Sequence, residues 1–243
     1  MAERDDLVRQ PLLPSSHTDD DPVTPSIMVR QENLSRHAVG VQISALLFVA
    51  VVWSIVLSSV SLRSLPLFGY HPLVQSLGIL LLLQAVVVLQ RTSGAQPHRK
   101  RAAFSAHQWL NLLLVLPLLT VGASIMWYLH DVSNAHFISW HGILGTACVS
   151  AAWAQAALGA ASVWWKGALV GGENKGKALW KYHRLSGYIL ITMFLVTAAL
   201  GVVETTWGQN NAGWTQKALV LAGLGLAGFA LLARVQKSKL PKL

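Results

Sequence analysis

Residues 66–90 read PLFGYHPLVQSLGILLLLQAVVVLQ and contain no Asp, Glu, Lys or Arg. An uninterrupted run of this kind can cross the hydrocarbon core of a bilayer as an α-helix, which needs about 20 apolar residues. The run includes one histidine, His71, close to its N-terminal end. The segment therefore predicts a transmembrane helix that carries an imidazole into the membrane.

The same hydropathy pattern recurs along the chain. Hydrophobic residues make up 53% of the 243 residues, which leaves little room for a second soluble domain. Lys217 interrupts the last apolar run, but its ammonium group can reach the membrane interface beside Trp214. The predicted fold class is all-α, an integral membrane six-helix transmembrane bundle over residues 38–236. Its six predicted spans are residues 38–60, 66–90, 102–129, 135–165, 182–203 and 212–233.

Lys and Arg are distributed unevenly between the segments that join these spans. They cluster in the N-terminal tail, after the second span, around the fourth connection and at the C-terminus, whereas only Arg63 and Lys217 fall on the other side. The positive-inside rule therefore predicts that both termini lie in the cytosol. This bias explains the net charge of +9 without a nucleic-acid partner, and no basic domain with interleaved aromatic residues is present.

The two ends of the chain have a different composition from the spans. Residues 1–37 are polar and rich in Asp, Ser and Pro, and they lack the apolar core of a cleavable signal. We predict a disordered cytosolic tail there. Residues 237–243 are predicted to form a basic cytosolic C-terminal tail.

Four consecutive spans each carry a histidine near their start: His71, His107, His141 and His183. Because antiparallel neighbours start on alternate faces, His71 should pair with His141 near the non-cytosolic face and His107 with His183 near the cytosolic face. At a rise of 1.5 Å per residue, the two layers would lie about 15 Å apart. An imidazole in lipid is costly without a partner, and a partner shared by two facing imidazoles is usually an iron porphyrin. All four are predicted metal-ligating, cofactor-binding residues.

The remaining composition narrows the choice of cofactor. Cys148 is the single cysteine and no CxxCH sequence occurs, so the prediction is two haem b groups bound non-covalently. Other metals, or structural roles for the histidines, are the alternatives. Spans two to four contain no acidic residue, which counts against a proton-coupled or cation transporter. Gly145 and Gly187 follow His141 and His183 by four residues and predict clearance for a macrocycle, or simply close helix packing.

The segments around the four histidines resemble a known family, the cytochrome b561 proteins. These are six-helix transmembrane electron carriers whose central four helices hold two b-type haems, and the likeness is greatest to short stand-alone members without a DOMON domain. The resemblance implies one-electron transfer from cytosolic ascorbate to monodehydroascorbate or a ferric chelate on the other side. It also suggests a homodimer in an endomembrane, such as the vacuolar membrane, or in the plasma membrane. The matching segments are LFGYHPLVQSLG (67–78), SAHQWLNLL (105–113), NAHFISWHGILG (134–145) and WKYHRLSGYIL (180–190).

Basic side chains lie beside the predicted cytosolic haem and are candidate substrate-binding residues. They could attract the ascorbate anion, although positive-inside bias alone would also place them there. These residues are Lys100, Arg101, Lys181 and Arg184.

Two further histidines lie on the predicted non-cytosolic side. His136, together with His130, could hold an acceptor or ferric complex there, the alternative being a solvated loop. Its position five residues before His141 turns His136 off the ligand face.

Three functions stay open at this point. The first is a transmembrane ascorbate-dependent oxidoreductase of the ferric-chelate or monodehydroascorbate reductase type. The second is a haem-binding membrane electron carrier that serves a protein partner, and the third is a histidine-based metal transporter without haem. Two imidazole ligands per iron leave no open coordination site, which favours outer-sphere electron transfer.

Overall fold

The structure is a computed structural model that describes residues 36–58, 64–90, 92, 96–133 and 136–241. Within these residues the chain is helical and forms no strand. Six helices are long and apolar enough to cross a membrane, which confirms the predicted all-α six-helix bundle. The predicted tail, residues 1–37, lies outside the described residues except for Arg36 and His37, which begin the first helix.

Seven α-helices follow one another in the described part of the chain. The third contains a π-helical turn at Asn111–Val115, and a 3-10 segment, Trp164–Val170, follows the fourth. The helices are α1 Arg36–Leu57, α2 Leu67–Leu89, α3 Pro97–Ser133, α4 Trp140–Val163, α5 Glu173–Val203, the short α6 Thr206–Asn211 and α7 Trp214–Leu232.

Helix α5 begins nine residues before the predicted span at Tyr182. Gly171 and Gly172 adopt positive φ angles just before Glu173, a conformation that glycine tolerates and that separates the new helix from the 3-10 segment. The first turns of α5 are polar, so hydropathy alone does not detect them. His183 consequently lies three turns inside a helix rather than at its start.

The bundle packs as two inner helix pairs and one outer pair. Helix α2 packs on α3 and α4 packs on α5, while α7 is the main partner of α1 and these two helices cover α2 and α5. Gly223 of α7 approaches the backbone of α1 so closely that a Cβ there would lie 3.1 Å from the Ser44 carbonyl oxygen. Close backbone approach through small residues is typical of helices packed in lipid.

Charge separates the two ends of the bundle. The basic end, where α1, α3 and α5 begin and α2, α4 and α7 finish, carries almost all the described Lys and Arg side chains; Lys217 is the exception. Between the ends, large apolar side chains such as Leu113, Ile189 and Phe229 are exposed, as expected for groups that face lipid. The protein is an integral multi-pass membrane protein.

Candidate functional site: two facing histidine pairs

The structure brings the four histidines of the spans together as two pairs. The ring centroids of His71 on α2 and His141 on α4 are 5.9 Å apart, and those of His107 on α3 and His183 on α5 are 6.4 Å apart. Metal–imidazole bonds of about 2 Å on opposite sides of one ion put ring centroids about 6 Å apart. Each pair therefore has the separation needed to share a metal ion, and the role of these residues as haem ligands stays a prediction.

The donor set at each pair suits a porphyrin better than a bare ion. Within the described ranges, no group of three or more His, Cys, Asp or Glu side chains could hold a metal. Zinc in proteins takes four ligands, whereas a porphyrin supplies four nitrogens itself and needs two axial ligands. Two isolated imidazoles facing each other therefore fit a haem iron.

Backbone carbonyls fix the orientation of three of the four rings. The Nδ1 atom of His71 donates to the Gly122 carbonyl at 2.8 Å, that of His107 to Ala85 at 3.0 Å, and that of His141 to Thr197 at 2.8 Å. A carbonyl only accepts, so Nδ1 carries the proton and Nε2 is left unprotonated. This is the tautomer that a metal-ligating imidazole requires.

His183 is the exception among the four. Its Nδ1 atom is buried and has no hydrogen-bond partner among the described residues, while its backbone carbonyl accepts a hydrogen bond of 2.5 Å from Nε2 of Gln155. Helix α4 therefore holds the backbone at His183, and packing rather than a hydrogen bond orients the ring.

Helices α2 and α3 hold each other's histidine rings. The ring of His71 on α2 is hydrogen-bonded to a backbone carbonyl of α3, and the ring of His107 on α3 is hydrogen-bonded to a backbone carbonyl of α2. The acceptor Ala85 lies 14 residues after His71, and Thr197 lies 14 residues after His183, but Gly122 lies 15 residues after His107. The π-helical turn between His107 and Gly122 accommodates the additional residue and restores the register.

Two glycines make room for the rings, and they differ from the predicted ones. A Cβ on Gly201 would lie 2.9 Å from Cε1 of His141, and a Cβ on Gly159 would lie 2.9 Å from Cε1 of His183. Gly145 instead faces Thr197, and Gly187 faces Gln155. The neighbouring helix therefore provides the clearance for the imidazole rings, whereas Gly145 lines the cavity at the His71–His141 pair and its clearance for a macrocycle stays a prediction.

A cavity of about 470 Å³ surrounds the His71–His141 pair. Its inner wall includes Phe194 and Gly201, and its mouth includes His130 and His136. This volume lies in the range of pockets that hold small organic ligands and cofactors.

His136, a predicted substrate residue, lies at this mouth within a small aromatic cluster. Its ring centroid is 4.6 Å from that of Trp127 and 6.0 Å from that of His130. Its Nε2 atom is 3.7 Å from Oδ1 of Asp131. The structure thus brings His130 and His136 together beside the cavity.

At the basic end, the predicted substrate residues have different surroundings. Lys100 and Arg101 are exposed near the start of α3, and the ammonium of Lys181 lies 5.0 Å from the centroid of the Tyr182 ring. Arg184 donates from a guanidinium nitrogen to the backbone carbonyl of Lys239 at 2.6 Å.

The C-terminal segment therefore folds back over this end, which the sequence did not indicate. The Lys239 ammonium donates to the Thr92 carbonyl at 2.7 Å. Burial lowers the pKa of Lys239 below its ordinary value, and the neighbouring charges of Arg184 and Lys100 lower it further. Lys239 thus joins the cations of this end.

Two polar residues beside the histidines were also missed. Asn111 donates to the backbone carbonyl of His107 at 2.6 Å, and Glu204 accepts from the backbone N–H of His141 at 2.9 Å. An Asn inside an apolar span was a usable signal, because polar side chains at that depth need a partner.

Comparison with known proteins identifies the family of the chain. The family model of eukaryotic cytochrome b561 matches residues 70–209, more than half of the chain and a range that includes all four paired histidines. Transmembrane ascorbate ferrireductase 2 of Arabidopsis thaliana is 27% identical over 180 residues, which cover 70% of this chain and 75% of that relative. Members of the matched family bind haem b. The chain belongs to the eukaryotic cytochrome b561 family.

Proposed function

We propose that this protein transfers single electrons across a membrane from cytosolic ascorbate to a ferric chelate or monodehydroascorbate on the other side. The observation that carries the proposal is the separation of about 6 Å within each histidine pair, one pair towards each end of the bundle. Two haem b groups would supply the redox chemistry, each iron cycling between its ferric and ferrous states.

The residues of the chain would hold and insulate these groups. Each pair would supply both side-chain ligands of one haem iron, which would leave no coordination site for oxygen or substrate. The carbonyls of Gly122, Ala85 and Thr197 keep three of the imidazoles in the ligating tautomer. Donor and acceptor would therefore exchange electrons with the bound groups without binding to the iron, one near each end of the bundle.

We place the donor at the basic end, which the positive-inside rule assigns to the cytosol together with both termini. Ascorbate is an anion at neutral pH, and Lys100, Arg101, Lys181 and Arg184 would attract it there. The name of the Arabidopsis relative describes an ascorbate-dependent ferrireductase, which supports both substrates for this chain. An endomembrane or the plasma membrane would be the location.

We place the acceptor at the opposite end, beside His130 and His136. Imidazoles at the mouth of the cavity can hydrogen-bond or coordinate a ferric complex.

A membrane electron carrier that serves a protein partner is the second candidate function, since the same haem sites would serve a carrier and an oxidoreductase alike. Two-ligand pairs argue against a histidine-based metal transporter, because a bare transition-metal ion normally takes four ligands.

Reduction of the purified full chain by ascorbate tests the donor assignment. Haem quantified per chain should approach two, with a low-spin b-type spectrum. Neutralising Lys100 and Arg101 together, as Lys100→Gln with Arg101→Gln, should slow reduction by ascorbate about three- to tenfold because electrostatic attraction is weakened. Lys217→Gln, at the opposite end, is the matched control and should leave the rate unchanged.

The outcomes separate the candidates. Haems that stay oxidised in ascorbate, yet are reduced by dithionite, would favour the carrier with a protein partner. A chain that binds no haem after supplementation would contradict the proposed function altogether.

Replacing His130 and His136 by Gln should slow oxidation of the reduced protein by a ferric chelate and leave its reduction by ascorbate unchanged. Oxidation by the ferric chelate at the rate of the unaltered protein would contradict the acceptor assignment.

A further inference from the structure

Glu204 stands at the end of α5 and contacts the start of α4. Its Oε1 atom accepts a hydrogen bond from the backbone N–H of Trp140 at 2.8 Å, and its Oε2 atom accepts one from the backbone N–H of His141 at 2.9 Å. The first N–H groups of a helix have no partner within that helix. The side chain of Ser139 takes the next one, from Gly142, at 3.1 Å. Glu204 is thus half of the N-terminal cap of α4.

These contacts attach His141 to α5 at two points. Its backbone nitrogen is held by the Glu204 carboxylate, and its ring is held through Nδ1 by the Thr197 carbonyl at 2.8 Å. Glu204 and the ring of His141 both line the cavity described above. The Glu204 carboxylate is therefore hydrogen-bonded to the backbone of His141, the proposed haem ligand, and it lines the same cavity as the His141 ring.

Among the residues that the structure describes, the other pair has no equivalent carboxylate. The other acidic side chains in the described part of the chain are Asp131, which faces His136, and Glu173, which pairs with Lys177 at 2.8 Å. Of the three, Glu204 is the one that is hydrogen-bonded to a residue of a histidine pair. Within the described part of the chain, the Glu204 carboxylate therefore distinguishes the His71–His141 site from the His107–His183 site.

We propose that Glu204 is a positioning residue that fixes His141 and lowers the reduction potential at the His71–His141 site relative to the other site. The inference rests on the proposed haem binding and extends it to the order of the two potentials. A ferric porphyrin carries one more positive charge than a ferrous one, so a nearby carboxylate stabilises the oxidised state. A lower potential at the acceptor end makes the electron held there a stronger reductant.

A stepwise redox titration of the full chain with both haems tests this inference. Glu204→Gln keeps the size of the side chain and removes its charge. We expect the equilibrium constant for reduction at the His71–His141 site to rise about tenfold, which for one electron is about 59 mV. A His107→Ala variant assigns the midpoints, because it retains the His71–His141 pair. Glu173→Gln removes a charge from the other end of α5 and should shift neither midpoint.

Further measurements distinguish an effect of Glu204 on the reduction potential from a role that is limited to capping α4. Glu204→Asp keeps the charge and should hold the midpoint near that of the unaltered protein. If the Glu204→Gln variant loses the haem, the midpoint potential of the Glu204→Asp variant tests the inference instead. A midpoint in Glu204→Asp as high as that expected for Glu204→Gln would overturn the inference. A Glu204→Gln variant that binds both haems with unchanged midpoints and unchanged low-spin electron paramagnetic resonance signals would overturn it as well. Failure of the unaltered chain to bind haem would instead contradict the proposed function.

Discussion

Each of the four paired histidines is defined by the contacts on the two sides of its ring. The partner histidine faces it across about 6 Å, and for three of the four a backbone carbonyl of the neighbouring helix accepts from Nδ1. Second contacts of this kind orient a ligand and raise its basicity. In the part of the chain that the structure describes, the His183 ring lacks such a contact, so packing holds it there.

The four single histidine replacements should fall into two pairs, and the two members of a pair should lose the same haem. His71→Ala and His141→Ala should each abolish the cofactor at one site, and His107→Ala and His183→Ala the cofactor at the other, because an iron that loses one of two axial ligands is retained poorly. Haem quantified per chain should fall by about half in every variant. The redox titration should then keep the midpoint of the intact pair. Loss of both haems from every variant would contradict the pairing.

Glycine replacements should act on one site at a time. Gly201→Ala and Gly159→Ala put a Cβ 2.9 Å from Cε1 of His141 and His183, so the ring or the helix must move. Overpacking of this kind costs about 1–3 kcal/mol. Gly225→Ala is the control, because a Cβ there meets nothing within 4 Å.

Thermal unfolding and site-specific haem content check this expectation. Each of the two variants should lose haem from the site that it contacts, while Gly225→Ala should be neutral or slightly more stable, since alanine favours the helix. Equal haem content in all three would show that the rings do not need this clearance.

Residue types explain which of these contacts the sequence could reveal. A histidine in an apolar span is conspicuous, and four at matching positions predict the pairs that the structure brings together. A carbonyl acceptor leaves no such mark, because every residue has one. The sequence identifies Glu204 only as an acidic residue at a span end, since its contact with α4 depends on how the two helices cross.

At the scale of helices, the number and order of the spans were predictable but their ends were not. Hydropathy detects the part of a helix that lies in lipid, so it misses the polar first turns of α3 and α5, from Pro97 and Glu173. The π-helical turn was also unpredictable, because residues 111–115, NLLLV, have no composition that distinguishes them from an α-helix.

Deleting one residue should therefore have opposite effects in two helices. Removal of Leu113, which is exposed, would turn the π-helical turn of α3 into regular α-helix and leave the 14-residue spacing found after His71 and His183. Both haems should be retained. Removal of Ile189, also exposed, from the regular part of α5 would rotate Thr197 by about 100° relative to His183.

Haem content and the low-spin spectrum distinguish the two deletions. The variant without Ile189 should lose both haems or fail to accumulate, because α5 contributes to both sites. Retention of both haems in that variant, or their loss from the variant without Leu113, would contradict the role assigned to the π-helical turn.

At the scale of the whole molecule, charge is concentrated at one end. The C-terminal segment adds Lys239 to Lys100 and Arg184 there, and no hydropathy argument would place this tail residue in contact with Thr92 and Arg184. An excess of one sign on a surface attracts oppositely charged small molecules over a distance of about 10 Å at 0.1 M salt.

Salt should therefore slow reduction by ascorbate more than reduction by an uncharged donor. Between low salt and about 0.5 M salt we expect the second-order rate constant for ascorbate to fall several-fold, because the Debye length shortens to a few ångströms. Stopped-flow absorbance at the haem bands measures the rate, and a neutral hydroquinone is the control. The same salt dependence for both donors would contradict electrostatic attraction at this end.

The contact between α1 and α7 joins the first and the last membrane helix of the described chain. Ribosomes deliver helices to the membrane in order, so α1 must wait for its main partner until all the others have been inserted. The apolar face of α1 that includes Phe48 and Ile55 is then covered by Val220 and Leu224. Closure of this contact consequently follows the insertion of every other membrane helix of the described chain, and a chain without Trp214–Leu232 would present that face of α1 to lipid.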